Sequence, residues 1–170
     1  ADMAELDSCE GRTIVQGTMF HTTNGDTQII NSLGHGIPEF ANADRVWMPL
    51  GHSEGRVASA ADEIVIDAHV VEALDLSLGD IVNIGAGSSP VEFSIVGIGY
   101  HPLHVFMAPE GSIFPPEPGQ YVVGYVSESG MARLTNSSIG NSNTILLDVE
   151  GNPSFDLPDT EEYEGDEIDL

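Results

Sequence analysis

The 170-residue chain predicts an α+β domain, mostly antiparallel strands with two or three short helices. Three observations point there. Apolar residues gather in short β-branched runs such as Glu63–Ile66 (EIVI) and Tyr121–Val126 (YVVGYV) rather than in long 3.6-residue periods. Turn chemistry separates these runs at short intervals, with 19 glycines and 10 prolines in all. Only two places combine an N-cap residue with a helical apolar stripe, at Asp67 and Ser127.

Residues 2–8 read as a weak short helix. Arg12–Phe20 is a β-branched strand, Thr23-Asn24-Gly25-Asp26 a turn, and Thr27–Ile30 the returning strand of a hairpin. Ser32–Pro38 reads as loop, Asp44–Met48 around Trp47 as a short extended piece, and Gly51–Ala61 as loop. After the Glu63–Ile66 strand, the Asp67 carboxylate is placed to accept from the free N–H groups of a two-turn helix. Val70, Val71 and Leu74 form its apolar stripe. Leu78-Gly79-Asp80 turns the chain into Ile81–Ile84. Gly85–Pro90 is a hairpin loop, and Val91–Tyr100 is a long strand in which Gly97 and Gly99 predict a bulge or a close backbone approach. Pro109–Gly119 holds four of the prolines and is an irregular excursion. Tyr121–Val126 is a strand, Ser127 caps a helix running to Leu134, and Thr144–Val149 closes with a strand. There is no internal repeat.

Charge narrows the function. Twenty-eight Asp and Glu face four arginines and no lysine, a formal net of −24. A nucleic-acid backbone or an anionic membrane surface requires a basic face, so neither is a partner. Eight of the carboxylates lie between Asp156 and Asp169, and the remaining 20 still leave −16 on the rest. Two surfaces fit: one suited to concentrated salt, where screening shortens to about 3 Å near 1 M, and one aimed at a cationic partner. The missing lysine favours the first, because a local docking site does not require its removal from the whole chain. Cys9 is the single cysteine and reads as a free thiol. No signal peptide is recognisable at the start, and the longest uncharged stretch of the apolar middle, Phe93–Pro109, is broken by Gly97, Gly99 and Pro102.

Catalytic motifs are sparse. No G-x-S-x-G occurs, and Gly85-Ala86-Gly87-Ser88-Ser89 lacks both the Lys ending and the helix that a phosphate loop needs. His101-Pro102-Leu103-His104 spaces two imidazoles by three, and His35 or His52 would complete a metal site from a loop. Against this, a strand places residues i and i+3 on opposite faces and Pro102 prevents a helix. The expectation is no metal, no cofactor and no catalytic residue, with His101 and His104 as the metal candidates. Asn136-Ser137-Ser138 is a formal glycosylation sequon.

Specificity lies in an ordered set of segments. Glu63-Ile64-Val65-Ile66-Asp67, then Ala73–Ile84 (ALDLSLGDIVNI), then Val91–Ile98 (VEFSIVGI), followed by Tyr121–Leu134 and Thr144–Val149, resembles the extracytoplasmic core domain of FtsX/MacB-like ABC-transporter permeases. Cys9–Phe20 is similar to the opening strand of that domain. The resemblance covers about residues 5–150 and implies a MacB-like periplasmic core architecture. Its boundaries are 1–152 for the core, with about 60–126 as a β-rich inner subdomain, and 153–170 for an acidic tail or linker. It also implies a non-catalytic role on the outer side of the cell membrane, coupling membrane-helix motion to substrate or partner handling. The partners it implies are a cytoplasmic ABC ATPase subunit reached through the membrane part, and a second permease copy or an extracytoplasmic partner protein. Two readings from other classes stand beside it: a freestanding secreted or surface binding module with a cation-binding acidic tail, and a metal-assisted hydrolase using His101 and His104.

Overall fold

The computed structural model describes residues 6–23, 25–37, 54–87, 89–101, 104, 108, 109 and 112–149. In chain order the elements are β1 (Leu6–Thr23), β2 (Asp26–Ile37), β3 (Glu54–Gly55), β4 (Glu63–Asp67), α1 (Ala68–Leu74), β5 (Ile81–Gly85), β6 (Val91–Gly99), β7 (Tyr121–Ser127), α2 (Glu128–Thr135) and β8 (Thr144–Val149). The α+β expectation with a MacB-like core architecture is corrected here. Six strands, in the order β1-β2-β7-β4-β6-β5 and back to β1, close into a β-barrel, and the helices of seven and eight residues form no layer of their own. The pairing is mostly antiparallel, with β2 parallel to β7 and β4 parallel to β6.

Closure depends on the length of β1, 18 residues. Its second half pairs with β2 from Thr13↔Gly36 to Thr23↔Asp26, and Thr18–Phe20 pair also with β5. One strand therefore supplies both closing seams, which a sequence divided into short runs does not reveal. At the β1–β5 seam the backbones approach so closely that a Cβ on Gly17 would lie 2.6 Å from the Gly85 carbonyl oxygen. The first half of β1 pairs with β8 from Leu6↔Val149 to Arg12↔Thr144. This pairing overrides the helical reading of residues 2–8, whose described part, Leu6–Ser8, is strand.

Ser32–Ile37 is strand as well, not loop. Its glycines have a packing cause: α2 lies directly on β2, and a Cβ on Gly36 would stand 2.9 Å from the Cβ of Met131. Within Gly51–Ala61, Glu54–Gly55 forms β3 against β6. The predicted irregularity in β6 is present, with Ile64 opposite Ile95 but Val65 opposite Gly97, so Val96 is the extra residue of a bulge. The hairpin, both capped helices, β5, β7 and β8 stand where the pattern put them. Asp44–Met48 and the acidic tail 153–170 lie outside the described residues.

The wall has two buried faces. Met19, Ile30, Ile66, Val82, Phe93 and Val122 come one from each of the six barrel strands and belong to a single apolar cluster, so they fill the lumen. Val70 and Leu74 of α1 and Met131 and Leu134 of α2 join it. The alternate residues of β4 and β7, namely Val65, Tyr121, Val123 and Tyr125, form a second cluster with Leu33 and Ile37 of β2. That cluster draws on three neighbouring strands only, so it lies on the outside of the wall. The polar site is built on this outer face.

Candidate functional site

Four strands deliver buried polar side chains to one place. Cross-strand pairing sets Ile14 opposite His35 and His35 beside Tyr125. Tyr125 lies opposite Val65, which puts Asp67 two residues on along the same face of β4. Arg12 is two residues before Ile14 and shares that face. Arg12, His35 and Asp67 are each no more than 1% exposed, and His101, arriving from the end of β6, is 2% exposed. Burying this much polarity requires partners.

Two chains of contacts supply them. Arg12 donates through Nη2 to Glu10 Oε1 at 2.7 Å and through Nη1 to His101 Nε2 at 3.1 Å. The His101 ring stacks on Tyr125, with centroids 5.4 Å apart and planes 19° from parallel. The Tyr125 hydroxyl donates to Asp67 Oδ2 at 3.1 Å, and Asp67 Oδ1 accepts from the His69 backbone N–H at 3.0 Å and pairs with His69 Nδ1 at 2.6 Å. Separately, His35 Nε2 and His104 Nε2 meet at 2.8 Å, and the His35 ring lies 5.6 Å from that of His101.

The electrostatics follow from burial among positive neighbours. His35 is held down at about 3, first by burial and then by His104, His101 and Arg12. His101 is held at about 4, again by burial first, then by Arg12 and His104, against the opposing pull of Asp67 and Glu10. Both imidazoles are neutral at pH 7. At the opposite end of β4, Arg56 bridges to the Glu63 carboxylate, which also accepts from the N–H groups of Ser59 and Ala60. Those contacts, the Arg56 bond foremost, hold Glu63 well below the usual carboxylate range.

His101 and His104 are therefore brought together, contrary to the strand argument against their spacing. The His104 N–H donates to the His101 carbonyl at 2.9 Å, a tight turn that leaves the two rings 5.9 Å apart. His35 joins them, from a strand and not from a loop, while His52 lies outside the described residues. The donors do not converge on one point, because the lone pair of His101 Nε2 is directed at a guanidinium. Among the described residues no group of three His, Cys, Asp or Glu side chains is arranged to hold a metal ion. Sequence reasoning missed Arg12, Asp67 and Tyr125 as members of one network. Only the placing of an arginine inside a β-branched run, in a chain with four, marks Arg12 beforehand.

Neither a family model nor a curated protein matches this chain. Among solved structures it is similar to the extracellular domain of the noncanonic ABC-type transporter YknZ from Gram-positive bacteria, at 15% identity and a TM-score of 0.46. The likeness covers 88% of this chain and 68% of that one.

Proposed function

We propose that this chain is a non-catalytic extracytoplasmic domain of an ABC-transporter permease, coupling membrane-helix motion to the handling of a substrate or partner protein outside the membrane. The observation that carries the reading is the ribbon formed by β1 and β8. Leu6 faces Val149 across it, so the segments before one and after the other leave from the same end of the ribbon. That is the geometry a domain inserted between two membrane helices requires. The order of the segments from Glu63 to Val149, which carries the resemblance to such permeases, supports it further. Among the described residues no helix is long and apolar enough to cross a membrane, so the spanning helices belong to other segments. Residues 1–152 are the extracytoplasmic core in this reading, and 153–170 an acidic tail or linker. The partners are a cytoplasmic ABC ATPase subunit and either a second permease copy or an extracytoplasmic protein.

Reading the gene on both sides tests this directly. A membrane span just ahead of residue 1, three more beyond residue 170 and a neighbouring ATPase gene are expected, and the two products should copurify from detergent-solubilised membranes. A frame without membrane spans would overturn the proposal. The non-catalytic part predicts a purified chain without stoichiometric transition metal. One zinc per chain by elemental analysis, lost when His101 and His104 are both changed to Ala, would favour the hydrolase reading.

The acidic surface belongs to the same proposal as an adaptation to concentrated salt. With −16 ahead of the tail and four arginines, most carboxylates have no cation to pair with and their repulsion opposes the compact state. Screening shortens from about 10 Å at 0.1 M to about 3 Å at 1 M. The melting temperature should therefore rise over that range, equally in NaCl and KCl. A response to micromolar calcium, with monovalent salt inert, would point instead to specific carboxylate sites.

A further inference from the structure

We propose that Asn136 is an N-glycosylation site, carrying a saccharide transferred to it on the outer side of the membrane. The inference rests on the extracytoplasmic reading above.

Of eight asparagines, two have a serine or threonine two residues on, Asn136 and Asn152, and Pro153 disqualifies the second. Asn136 stands where α2 ends, and residues 136–143 are exposed without a break ahead of β8. The motif works through two side chains, the Asn136 amide that accepts the sugar and the Ser138 hydroxyl that the transferase reads. Both are exposed, and neither makes a hydrogen bond among the described residues. The hydroxyl that transfer does not use is the one engaged, with Ser137 paired to Thr135 at 2.7 Å.

A second turn of the same build shows what the backbone alone asks for. After α1 the chain runs Asp75-Leu76-Ser77-Leu78-Gly79-Asp80, and after α2 it runs Asn136-Ser137-Ser138-Ile139-Gly140-Asn141. The cap residues lie at φ 52° and 51° and the glycines at 90° and 85°. The next N–H bonds five residues back in both, Leu76 to Val71 and Ser137 to Ala132. The serine and glycine therefore belong to the turn and do not by themselves point to a saccharide. The differences do. Asp75 and Asp80 give way to Asn136 and Asn141, and buried Leu76 gives way to exposed Ser137. Asp80 Oδ2 holds the Ser77 N–H at 2.8 Å, and Ser138 has no such tether among the described residues. The turn thus accepts aspartate, in a chain with 28 carboxylates, yet residues 129–147 contain none, the longest such stretch in the sequence. Glu128, at the other end of α2, is the one described carboxylate at the cleft beneath the loop.

The neutral stretch has a chemical reason. In the transfer, Asn136 Nδ2 attacks the anomeric carbon of a saccharide carried on a lipid phosphate. The C–N bond forms as the C–O bond to the phosphate breaks, the lipid phosphate leaves with the electron pair, and Nδ2 gives up one proton to solvent. Carboxylates around the acceptor would repel that anionic donor, and an aspartate at the cap would offer no nitrogen. The attached saccharide then hydrates a surface that carboxylates hydrate elsewhere.

Mass spectrometry of the chain purified from the membranes of its own cells tests the site. Cleavage after glutamate releases residues 129–150, which also hold Asn141 and Asn143, neither with a hydroxyl residue at the required spacing. A saccharide on Asn136 alone is expected. Asn136→Asp, an exchange that Asp75 shows the turn to tolerate, should abolish it, as should Ser138→Ala, whereas Ser138→Thr should retain it. An unmodified peptide, a saccharide on Ser137 or Ser138, or a modification that survives Ser138→Ala overturns the proposal. Protease added to intact cells separates this failure from that of the transporter reading. A chain cut from outside but unmodified at Asn136 removes the glycan alone, and an unmodified chain cut only after lysis removes both.

Discussion

Two strand–helix units of the barrel, β4–α1 and β7–α2, share one local design and differ in what the design is attached to. In both, the last strand residue caps the helix: Asp67 accepts from the His69 N–H, and Ser127 from the Gly130 N–H. In both, the helix lasts about two turns and ends on a non-glycine residue in the left-handed region, Asp75 at φ 52° and Asn136 at φ 51°. Among the described residues Ser127 otherwise reaches Ser129 and the Ala60 carbonyl. Asp67 is fully buried and also binds the Tyr125 hydroxyl and the His69 ring. The same capping chemistry is thus peripheral in one unit and central to a buried network in the other.

Removing both caps gives the largest expected contrast. Asp67→Ala removes a cap and the common acceptor of Tyr125 and His69, and should cost about 2–4 kcal/mol, combining a cap with hydrogen bonds to a buried charge. Asp67→Asn, whose single side-chain oxygen still accepts from the His69 N–H while its NH2 can only donate to the Tyr125 oxygen, should lose clearly less. Ser127→Ala should cost about 1 kcal/mol, as an ordinary cap does. Urea denaturation at pH 7 measures all three. Equal losses at Asp67 and Ser127 would remove the distinction between the units.

A second contrast lies in how each unit responds to acid. His35 and His101 have folded values below their free value, so the unfolded chain binds more protons between them. Their contribution is complete above about 6.5 and is lost as pH falls through that value towards about 4 and about 3. Because Asp67 touches this cluster through Tyr125, the loss caused by Asp67→Ala should change with pH across that window. The loss caused by Ser127→Ala should stay flat.

Both units were legible in the sequence, and for the same reason: capping residue, apolar stripe and strand run are all local signals. What was not legible is non-local. Nothing within Leu6–Thr23 announces that its halves pair with different partners, and Gly34 and Gly36 look like loop until α2 is seen lying on them. The polar site was hidden by the same limit. Alternation along β4 and β7 marks two buried faces but not which one receives Arg12, His35 and His101 from other segments. The spacing of His101 and His104 was visible, whereas the argument against their meeting assumed a strand where the chain makes a turn.

The smallest expected difference concerns the helix ends. A left-handed residue costs an L side chain some strain, least for Asn and Asp, and glycine removes it at the expense of a more flexible unfolded chain. Those two terms nearly cancel at Asn136, so Asn136→Gly should change stability by less than about 0.5 kcal/mol. Asp75 carries a further penalty. It places a negative charge at the negative end of the α1 dipole, and α1 has no basic residue in its last turn, whereas α2 has Arg133 there, over the Phe93 ring. A charge of the wrong sign at a helix terminus costs about 0.3–1 kcal/mol at low ionic strength. Asp75→Asn keeps the tolerant side chain and removes only the charge, so it should stabilise by about that amount, and Asp75→Gly should do no better. In 1 M salt, where screening shortens to about 3 Å, the gain from Asp75→Asn should shrink towards the small value at Asn136. Thermal melts at both salt concentrations measure it. A gain that survives 1 M salt would mean that backbone strain, and not charge, separates the two helix ends.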